Sequence, residues 1–379
     1  MGIEGGAGVG IRFGVEEEFL VVDPLTRKVV PEAAAVIGRA QARLGARVAG
    51  EITKAQVETR TAPCETTVDL RAELVEGRAV LAAAAEAEQL RVVATGTPVL
   101  GWSVPPPITE GPRQDRGTAT FRGLHDELGI CAVHIHVELP DRDRAVRVSN
   151  HLRPHLPVLI ALAANSPYWA ERDTGYASWR TVGWHRWPVA GPPPYFESAA
   201  HYDGLVGTLL DAGALVDIGT LFWDVRLSAH QPTLEVRVAD VSGTAEESAA
   251  LAALVRALVV TAGAAVDRGE PGPAVAPELM RLAYWRAARD GMGGHGVDVR
   301  SGRLVPAAEL AGRLLQAARP ALVALGDLDR VTGWLGRLSS EGDGATRQRR
   351  AAGEGGLAGV VDHLIAQTAP RVSAEGTLA

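Results

Sequence analysis

The sequence predicts an α+β fold in which helices pack against one face of a mostly antiparallel β-sheet. Strand-like runs alternate with long helix-like segments, and the intervals between strands are too long for a barrel built from hairpins. Apolar and polar residues alternate in these runs, unlike the unbroken apolar runs of a parallel sheet. Each strand therefore has one apolar face, and helices would cover it.

The elements follow in order along the chain. The first run, FGVEEEFLVV, is rich in strand formers and ends at the turn signal Asp23-Pro24. Asn165 and Pro167 are expected to end the helix that begins near Ala145. Strands are predicted near residues 11–22, 55–61, 92–97, 132–138, 222–227 and 233–239. Helices are predicted over roughly 31–44, 66–90, 143–164, 198–212, 244–267 and 306–325.

Two stretches are predicted to be irregular. The Pro-rich stretch 187–196 is expected to be a loop that covers a site together with the segment around Asp173–Arg180. The Gly-rich stretch 339–356 is expected to be a mobile loop. The tryptophans Trp169, Trp179, Trp184 and Trp187 are interpreted as ordinary packing in preference to a substrate platform.

Composition indicates a folded, acidic chain. Its 379 residues are 46% hydrophobic and 22% charged, which is ordinary for a globular protein and excludes a disordered one. The formal net charge of −7 provides no basic footprint for nucleic acid. Cys64 and Cys131 are too few for a disulfide framework and lack metal-site spacing.

No targeting segment or membrane span is expected. The first residues, MGIEGGAGVG, lack a basic region followed by an apolar one, and glutamates and an arginine interrupt the apolar stretch 80–94. We therefore expect a soluble, cytoplasmic protein that acts on small molecules and binds neither nucleic acid nor membrane; a homo-oligomer is left open. Residues 1–379 are predicted to form one domain, with about ten flexible residues at each end.

Five strand-like runs share an unusual polar face. Residues two apart on a strand point the same way, so each run presents an apolar face and a face of charged or imidazole side chains. A solvated sheet face is the alternative, but these runs contain no lysine, which such faces usually carry. The sets are Glu16 and Glu18; Gln56, Glu58 and Arg60; His134, His136 and Glu138; Asp224 and Arg226; Glu235 and Arg237.

This polar face is suited to a particular chemistry. Several carboxylates beside histidine provide the oxygen-rich ligands that Mg²⁺ or Mn²⁺ prefers. Arginines pair with phosphate or carboxylate groups. Together they suggest nucleoside-triphosphate chemistry, although the sequence has no GxxxxGK[ST] loop. Glu17 points to the opposite face, where we expect a salt bridge or a helix contact.

The chain resembles a known family through an ordered set of motifs. It closely resembles the glutamate–cysteine ligase type 2 family of bacterial carboxylate–amine ligases from about residue 11 to 310, and more weakly to about 367. The motifs are FGVEEEFLVVDP, KAQVETRTAPCET, VHIHVELPDRDRAV, LRPHLPVLIALAANSPYW, DTGYASWR, WDVRLSAHQPTLEVRVADV and YWRAARDGM.

The resemblance implies a glutamine-synthetase-like fold, in which the antiparallel sheet curves into a funnel with helices on its outer face. It also implies ATP-dependent amide formation through an acyl phosphate, with Mg²⁺ or Mn²⁺ as the metal. The expected reaction joins the γ-carboxylate of glutamate to cysteine or another amine, and weak glutamate–cysteine ligase activity is expected.

The resemblance also implies residue roles. The implied metal ligands are Glu16, Glu18, Glu58 and Glu235, together with Glu51, an acidic position shared with more distant glutamate–cysteine ligases. The implied nucleotide-binding residues are His134, His136, Arg60 and Arg289, and the sequence leaves open which histidine contacts metal and which the nucleotide phosphates. The implied catalytic arginines are Arg180, Arg226 and Arg237, and Asp224 belongs to the same motifs without an assigned role.

Two other functions are weighed against the ligase. A metal-dependent hydrolase would use the His134-x-His136 pair, but a catalytic zinc site normally takes three protein ligands, and the surplus carboxylates and arginines fit it poorly. A non-catalytic nucleotide- or amino-acid-binding homologue would keep the fold without turnover. Under the ligase hypothesis, Glu16→Gln should abolish turnover and Glu17→Gln should be much milder.

Overall fold

The computed structural model describes residues 10–369, so the predicted flexible ends lie almost wholly outside it. The strands are β1 (Phe13–Val22), β2 (Val48–Gly50), β3 (Gln56–Arg60), β4 (Arg91–Val93), β5 (Ala132–Glu138), β6 (Tyr168–Trp169), β7 (Arg172–Asp173), β8 (Ala190–Gly191), β9 (Phe222–Trp223), β10 (Val225–Leu227), β11 (Thr233–Asp240), β12 (His295–Asp298) and β13 (Arg303–Pro306).

The helices separate and flank these strands. They are α1 (Ala33–Leu44), α2 (Thr67–Ala87), α3 (Pro112–Phe121), α4 (Gly123–Asp126), α5 (Arg142–Leu152), α6 (Leu156–Leu162), α7 (Trp179–Trp184), α8 (Ala199–Asp211), α9 (Ala245–Asp267), α10 (Pro277–Asp290), α11 (Ala307–Ala324), α12 (Leu328–Glu341) and α13 (Gly344–Thr368).

One antiparallel sheet organises the fold. Its strand order is β10-β11-β5-β1-β3-β2, and β4 also pairs with β1. On one edge of β1, residues 13–17 pair with β5 and residues 20–22 pair with β4. On the other edge, residues 16–20 pair with β3. The predicted α+β class with a mostly antiparallel sheet is confirmed, and β1 is its central strand.

The apolar face of the sheet packs against helices. α9 begins with a capping box, in which the Thr244 side chain accepts from the Glu247 backbone and Glu247 reaches back to Thr244. By length and composition α9 is apolar enough to cross a membrane, but 78% of that apolar window is buried inside the fold. The strand residues of this core include Phe13, Val15, Val133, Ile135, Val137, Val225, Leu234 and Val236. Thus α9 is the central helix of the core.

Two further apolar clusters complete the packing. The end of β1, residues 19–22, packs with side chains from α1, α2 and α13. An aromatic cluster lies between α7, α8 and β9 and contains Trp184, Trp187, Phe196, Tyr202, Phe222 and Trp223. Trp187 packs in this cluster as predicted, whereas Trp184 packs there and also lines a cavity at the polar face of the sheet, so for Trp184 packing in preference to a substrate platform stays a prediction.

Several predicted elements need correction. The helix expected over 143–164 is divided into α5, a 3₁₀ turn and α6, because Pro154 and Pro157 lack the N–H that a continuous helix needs. The stretch 339–356 is not a mobile loop but the end of α12 and the start of α13. Asp343 caps α13 by accepting from the Thr346 backbone, and Gln348 donates to Asn165. α3, α10 and the β12–β13 hairpin were not predicted.

Glu17 forms a buried ion pair on the helix-facing side of β1. Arg78 of α2 donates to it at 2.9 Å (Nε to Oε2) and 2.5 Å (Nη2 to Oε1), and both side chains are buried. Ser248 of α9 donates to Glu17 Oε1 at 2.5 Å. Arg78 also donates to the carbonyls of Ser242 and Gly243. The pair ties β1 to α2 and α9, which confirms the salt bridge expected for Glu17.

This ion pair changes the expectation for Glu17→Gln. Removing one member of a buried pair leaves the other charge uncompensated, so E17Q should lower the free energy of unfolding by about 3–5 kcal/mol. E16Q, on the opposite face, loses partly exposed contacts with His134 and Arg60, so it should lower the free energy of unfolding less than E17Q does. Urea unfolding followed by circular dichroism tests both variants. An unchanged midpoint in E17Q would contradict the structural role.

Candidate active site

The polar faces of the sheet strands line a cavity of about 760 Å³. The lining includes every carboxylate predicted as a metal ligand, both predicted histidines, and four of the predicted arginines. These residues are Glu16, Glu18, Glu51, Glu58, Glu235, His134, His136, Arg60, Arg180, Arg226 and Arg237. The strand alternation therefore brings the predicted residues together.

The register of the strands explains why these side chains meet. Glu16 lies opposite Arg60 on β3 and His134 on β5. Glu18 lies opposite Glu58. Directly opposed residues of an antiparallel pair have their side chains within contact distance on the same face. Residues distant in sequence thus become direct neighbours on the floor of the cavity.

A second set of opposed residues extends the floor. Glu235 of β11 lies opposite His136 on β5 and Arg226 on β10. The register shifts between Val236 and Ala239, which marks a β-bulge around Arg237. The bulge interrupts the regular pairing beside the acidic cluster, where Arg237 enters the cavity.

Three groups of side chains have the composition and spacing of metal sites. In each group, one potential ligand atom per residue lies within 4.8 Å of the others. The groups are Glu16, His136 and Glu235; Glu16, Glu58 and His134; and Glu18, Glu51 and Glu58. The two histidines belong to different groups, so the described residues do not form the two-histidine centre that the hydrolase hypothesis requires.

His136 fits a role as a metal ligand. Its Nδ1 lies 2.9 Å from Thr233 Oγ1, while its buried Nε2 has no hydrogen-bond partner among residues 10–369. Nε2 lies 3.7 Å from Glu16 Oε2 and 4.0 Å from Glu235 Oε1. When Nδ1 donates to Thr233, Nε2 carries the lone pair and faces two carboxylates. A ligating histidine is commonly held by such a hydrogen bond.

Electrostatics divides the carboxylates into two kinds. Burial raises the pKa of Glu18 to about 8, with a further contribution from the nearby charge of Glu51. Burial, with Glu51 and Glu16, also raises the pKa of Glu58 well above its usual range. Burial and like charge outweigh the effect of Arg60, which lies 2.5 Å from Glu58, and a bound cation relieves this condition.

The other two carboxylates are compensated by protein groups. Burial opposes ionisation of Glu16, but the neighbouring imidazoles of His134, at 3.2 Å, and His136, at 3.7 Å, hold its pKa well below the usual range. Burial likewise opposes ionisation of Glu235, but Arg237 and Arg226 lower its pKa. Burial and Arg237 lower the pKa of His134 to about 4, so this imidazole is neutral at pH 7.

Two predicted catalytic arginines have structural bonds inside the cavity. Arg226 binds Glu235 through two bonds, at 2.7 and 3.2 Å, and donates to the carbonyls of Gly219 and Leu221. Arg180 donates to the carbonyls of Arg237 and Val238 in the bulge. Both arginines therefore hold backbone that shapes the cavity.

Arg237 is the arginine directed at the acidic cluster. Its Nη1 donates to Glu235 and lies 3.4 Å from His134 Nδ1. Its Nε is buried without a hydrogen-bond partner in the described part of the chain. Its backbone N–H donates to the Asp224 carbonyl at 2.7 Å, which fixes the bulge against the chain between β9 and β10. Arg237 thus keeps donor capacity for a ligand.

Two residues of the matched motifs lie away from the cavity lining. Arg289, at the end of α10, pairs with Asp290 at 2.7 Å and lies over the Trp285 ring. This position does not agree with the role in nucleotide binding that the resemblance implies, because the guanidinium is engaged by Asp290 and Trp285 outside the cavity lining. The Asp224 side chain is buried with its Oδ2 3.5 Å from His185 Nε2.

The structure also adds cavity residues that the sequence did not indicate. They come from α3 and from the turns on either side of β9 and β10: Arg113, Asp217, Ile218, Gly219, Thr220, Ser228, His230 and Gln231. None lies in a strand, so alternation carries no signal for them. By contrast, within the described chain no residue of 187–196 lines the cavity; Trp187, Val189 and Phe196 pack in the aromatic cluster instead. The predicted covering role of that loop is therefore not supported.

Comparison with known proteins identifies the family. The family model described as "Glutamate-cysteine ligase family 2(GCS2)" matches residues 12–363. The chain belongs to this family. A protein of Mycolicibacterium smegmatis named "Putative glutamate--cysteine ligase 2-3" is 46% identical over 360 residues, covering 94% of this chain and 98% of the relative. A Nocardia farcinica protein with the same name but the suffix 2-1 is 45% identical over 358 residues, covering 94% and 92%.

Solved structures support the same fold. A glutamate–cysteine ligase of Francisella tularensis, in complex with AMP, has a TM-score of 0.71 at 12% identity and covers 95% of this chain and 88% of its own. A bifunctional glutathione synthetase of Pasteurella multocida has a TM-score of 0.69 at 16% identity, covering 96% of this chain and 53% of its own. The resemblance inferred from the motifs is confirmed. This member of glutamate–cysteine ligase family 2 is an ATP-dependent ligase that forms carbon–nitrogen bonds.

Glu16 belongs to two of the three candidate metal groups, the two that contain a histidine, so its loss should weaken metal binding more than it weakens the fold. We expect Glu16→Gln to lower Mn²⁺ affinity by at least about tenfold, because loss of even a residue that only supports a metal ligand costs about 10–100-fold. Calorimetric titration with MnCl₂ measures this. Folded Glu17→Gln protein, kept well below its unfolding midpoint, is the matched control and should bind Mn²⁺ like the wild type. Equal affinities in E16Q and wild type would exclude Glu16 as a ligand.

Proposed function

We propose that this ligase activates a substrate carboxylate with ATP and joins the resulting acyl phosphate to an amine, releasing ADP and phosphate. The proposed acid is glutamate, through its γ-carboxylate, and the proposed amine is cysteine or another amine. The carboxylate–histidine floor of the cavity, next to Arg237, supports this most directly. It combines sites suited to cations with a guanidinium suited to a transferred phosphoryl group.

The floor fits Mg²⁺ or Mn²⁺. Its oxygen-rich ligand set matches hard divalent cations, and the unpartnered Nε2 of His136 and the raised pKa values of Glu18 and Glu58 are features that a cation would resolve. The residues that we assign as metal ligands are Glu16, Glu18, Glu51, Glu58, Glu235, His134 and His136. Bound there, the cations would neutralise charge on the phosphates of ATP.

The protein residues around the floor have distinct proposed tasks. Arg237, with donors directed at the acidic cluster, would bind the phosphoryl group as it passes to the substrate carboxylate. Arg226 would hold Glu235 in place, and Arg180 would hold the bulge that carries Arg237. Arg60, which lies 2.5 Å from Glu58 and 3.5 Å from Glu16, would contact the nucleotide phosphates. Catalysis is then mainly positioning and electrostatic stabilisation.

The cellular setting is proposed from the same class of chemistry. We infer a cytoplasmic enzyme whose partners are ATP and small-molecule substrates, with residues 1–379 acting as one catalytic domain. The large core around α9 supports the single domain, because this core joins helices from the first and second halves of the chain.

The reaction is tested by following ADP release with Mg²⁺ and ATP against a matrix of amino acids and amines. Mass spectrometry should identify an amide product in each active combination. We expect glutamate with cysteine to be turned over, if only weakly. Hydrolysis that requires tightly bound zinc but no ATP, or nucleotide binding without ADP release across the whole matrix, would contradict the proposal.

The two arginines on Glu235 should separate into different kinetic effects. Arg237→Gln removes a donor to the transferred group and should lower kcat by about 10²–10³-fold. Arg226→Gln loosens Glu235 and should raise the Mg²⁺ concentration needed for half-maximal rate by about 10–100-fold. Steady-state kinetics at several Mg²⁺ concentrations distinguishes them. If excess Mg²⁺ restored R237Q but not R226Q, the two roles would have been assigned the wrong way round.

A further inference from the structure

The arginines of the cavity differ in how freely they can meet a ligand. The side chains of Arg180, Arg226 and Arg237 are only 2%, 11% and 12% exposed and bind groups on the floor. Those of Arg60 and Arg113 are 45% and 51% exposed. Arg60 lies against the metal carboxylates. Arg113 lines the cavity without touching them and has no part in the chemistry described so far.

Arg113 is held at one side of the cavity by a single carboxylate. It lies in the first turn of α3, and its guanidinium binds Asp217 at 2.8 Å (Nε to Oδ2) and 3.2 Å (Nη2 to Oδ1). The hydrogen bond from Arg113 is the main reason that the pKa of Asp217 is lowered. A Cβ at Gly219 would lie 2.8 Å from Arg113 Nη2, so a residue without a side chain leaves room for the guanidinium.

Both ends of this contact are anchored to the floor of the cavity. On the Arg113 side, Thr109 donates from its hydroxyl to the Glu51 carbonyl at 2.7 Å and from its backbone to the Ile52 carbonyl. On the other side, Arg226 donates to the carbonyls of Gly219 and Leu221, in the turn that carries Asp217. Arg113 is therefore positioned relative to Glu51 and Glu235 even though its side chain is half exposed.

We propose that Arg113 recognises the free α-carboxylate of an amino-acid substrate, exchanging its contact with Asp217 for one with the substrate. This inference rests on the proposed ligase function and narrows its substrates to amino acids that carry a carboxylate besides any reacting one. The guanidinium presents two parallel N–H groups, and a substrate carboxylate matches them in the way that Asp217 does.

Exchanging Asp217 for a substrate carboxylate costs Arg113 little free energy. An exposed ion pair contributes little net stability, because water and ions compete with it. Replacing one carboxylate by another keeps the charge of Arg113 paired throughout. The three arginines at the floor cannot make such an exchange, since each is bound to backbone carbonyls or to the buried Glu235.

The test measures binding and turnover separately. Calorimetry in the presence of Mg²⁺ and ADP gives the affinity for L-glutamate and for L-cysteine in wild type, Arg113→Gln, Arg113→Lys and Asp217→Asn. We expect R113Q to weaken binding of one amino acid by at least roughly tenfold, the effect of losing a charged hydrogen bond. R113K keeps the charge but loses the fork and should be intermediate. D217N frees Arg113 and should not weaken binding.

Substrate analogues identify which carboxylate is recognised. 4-Aminobutanoate lacks the α-carboxylate of glutamate, and cysteamine lacks the carboxylate of cysteine. In ADP-release assays R113Q should raise the KM of one amino acid at least roughly tenfold, leave kcat within a few-fold, and leave the KM of the matching analogue unchanged. Arg142→Gln is the matched control, because Arg142 forms an exposed pair with Asp203 away from the cavity lining and should leave every value unchanged.

The outcomes separate this inference from the proposed function. R113Q binding both amino acids like wild type would overturn the inference, as would D217N reproducing every loss seen in R113Q, because the pair would then be only a brace between α3 and the turn. Binding that depends on Arg113 without ADP release would leave the inference standing and overturn the ligase proposal. Failure of both amino acids to bind wild type would overturn both.

Discussion

A carboxylate is unfavourable away from water unless positive charge or hydrogen-bond donors meet it, and β1 places three in succession. The structure treats each one differently. Glu17 is paired with Arg78 among the helices, and Glu16 is met by two histidines. Glu18 accepts the backbone N–H of Ala132 at 2.7 Å, lies 3.7 Å from His134 Nε2, and is opposed by Glu58 on β3. The helix contacts, the neighbouring strands of β1 and the acidic floor all depend on how these three carboxylates of β1 are compensated.

The same constraint explains the arrangement of arginines around the cavity. Compensating every carboxylate of the floor with arginine would leave no excess negative charge to attract a cation. Glu235 instead binds two buried arginines, whereas Glu18, Glu51 and Glu58 lie together with the half-exposed Arg60 as their neighbouring arginine, 2.5 Å from Glu58. The floor therefore grades from a well-compensated side at β10 and β11 to a less compensated side at β3. A nucleotide with bound cations carries both signs of charge and suits such a gradient.

Much of the floor could be predicted from the sequence because it depends on a local rule. Alternation with period two assigns Glu16, Glu18, His134 and Glu235 to one face without knowledge of the partner strands. Glu17 was assigned to the other face by the same rule, but the burial of its partner could not be read from sequence. The sequence alone therefore predicts a mild effect of Glu17→Gln on turnover, whereas the buried pair with Arg78 predicts a loss of folding stability.

The features that the sequence did not predict have a common physical origin, because they depend on contacts between segments distant in sequence. Arg113 and Asp217 are 104 positions apart and meet only through the packing of α3 against a turn. The start of α13 looks like a loop in sequence, yet Asp343 and Gln348 fix it through bonds to local backbone and to Asn165. Arg289 shares a family motif, but a helix directs its side chain toward Asp290. No local pattern encodes these outcomes.

The boundary between sheet and turns has a consequence for how such an enzyme can diversify. The groups on the floor are locked by strand register, where a shift of one residue would move every side chain to the wrong face. Asp217 and Gly219 belong to a turn between helix and strand, where insertions and substitutions are tolerated more easily. Duplicated genes of this family can therefore change substrate preference at the Arg113–Asp217 side of the cavity while the reaction on the floor is kept. The sheet thus carries the residues that the reaction requires, and the turns carry residues that can change.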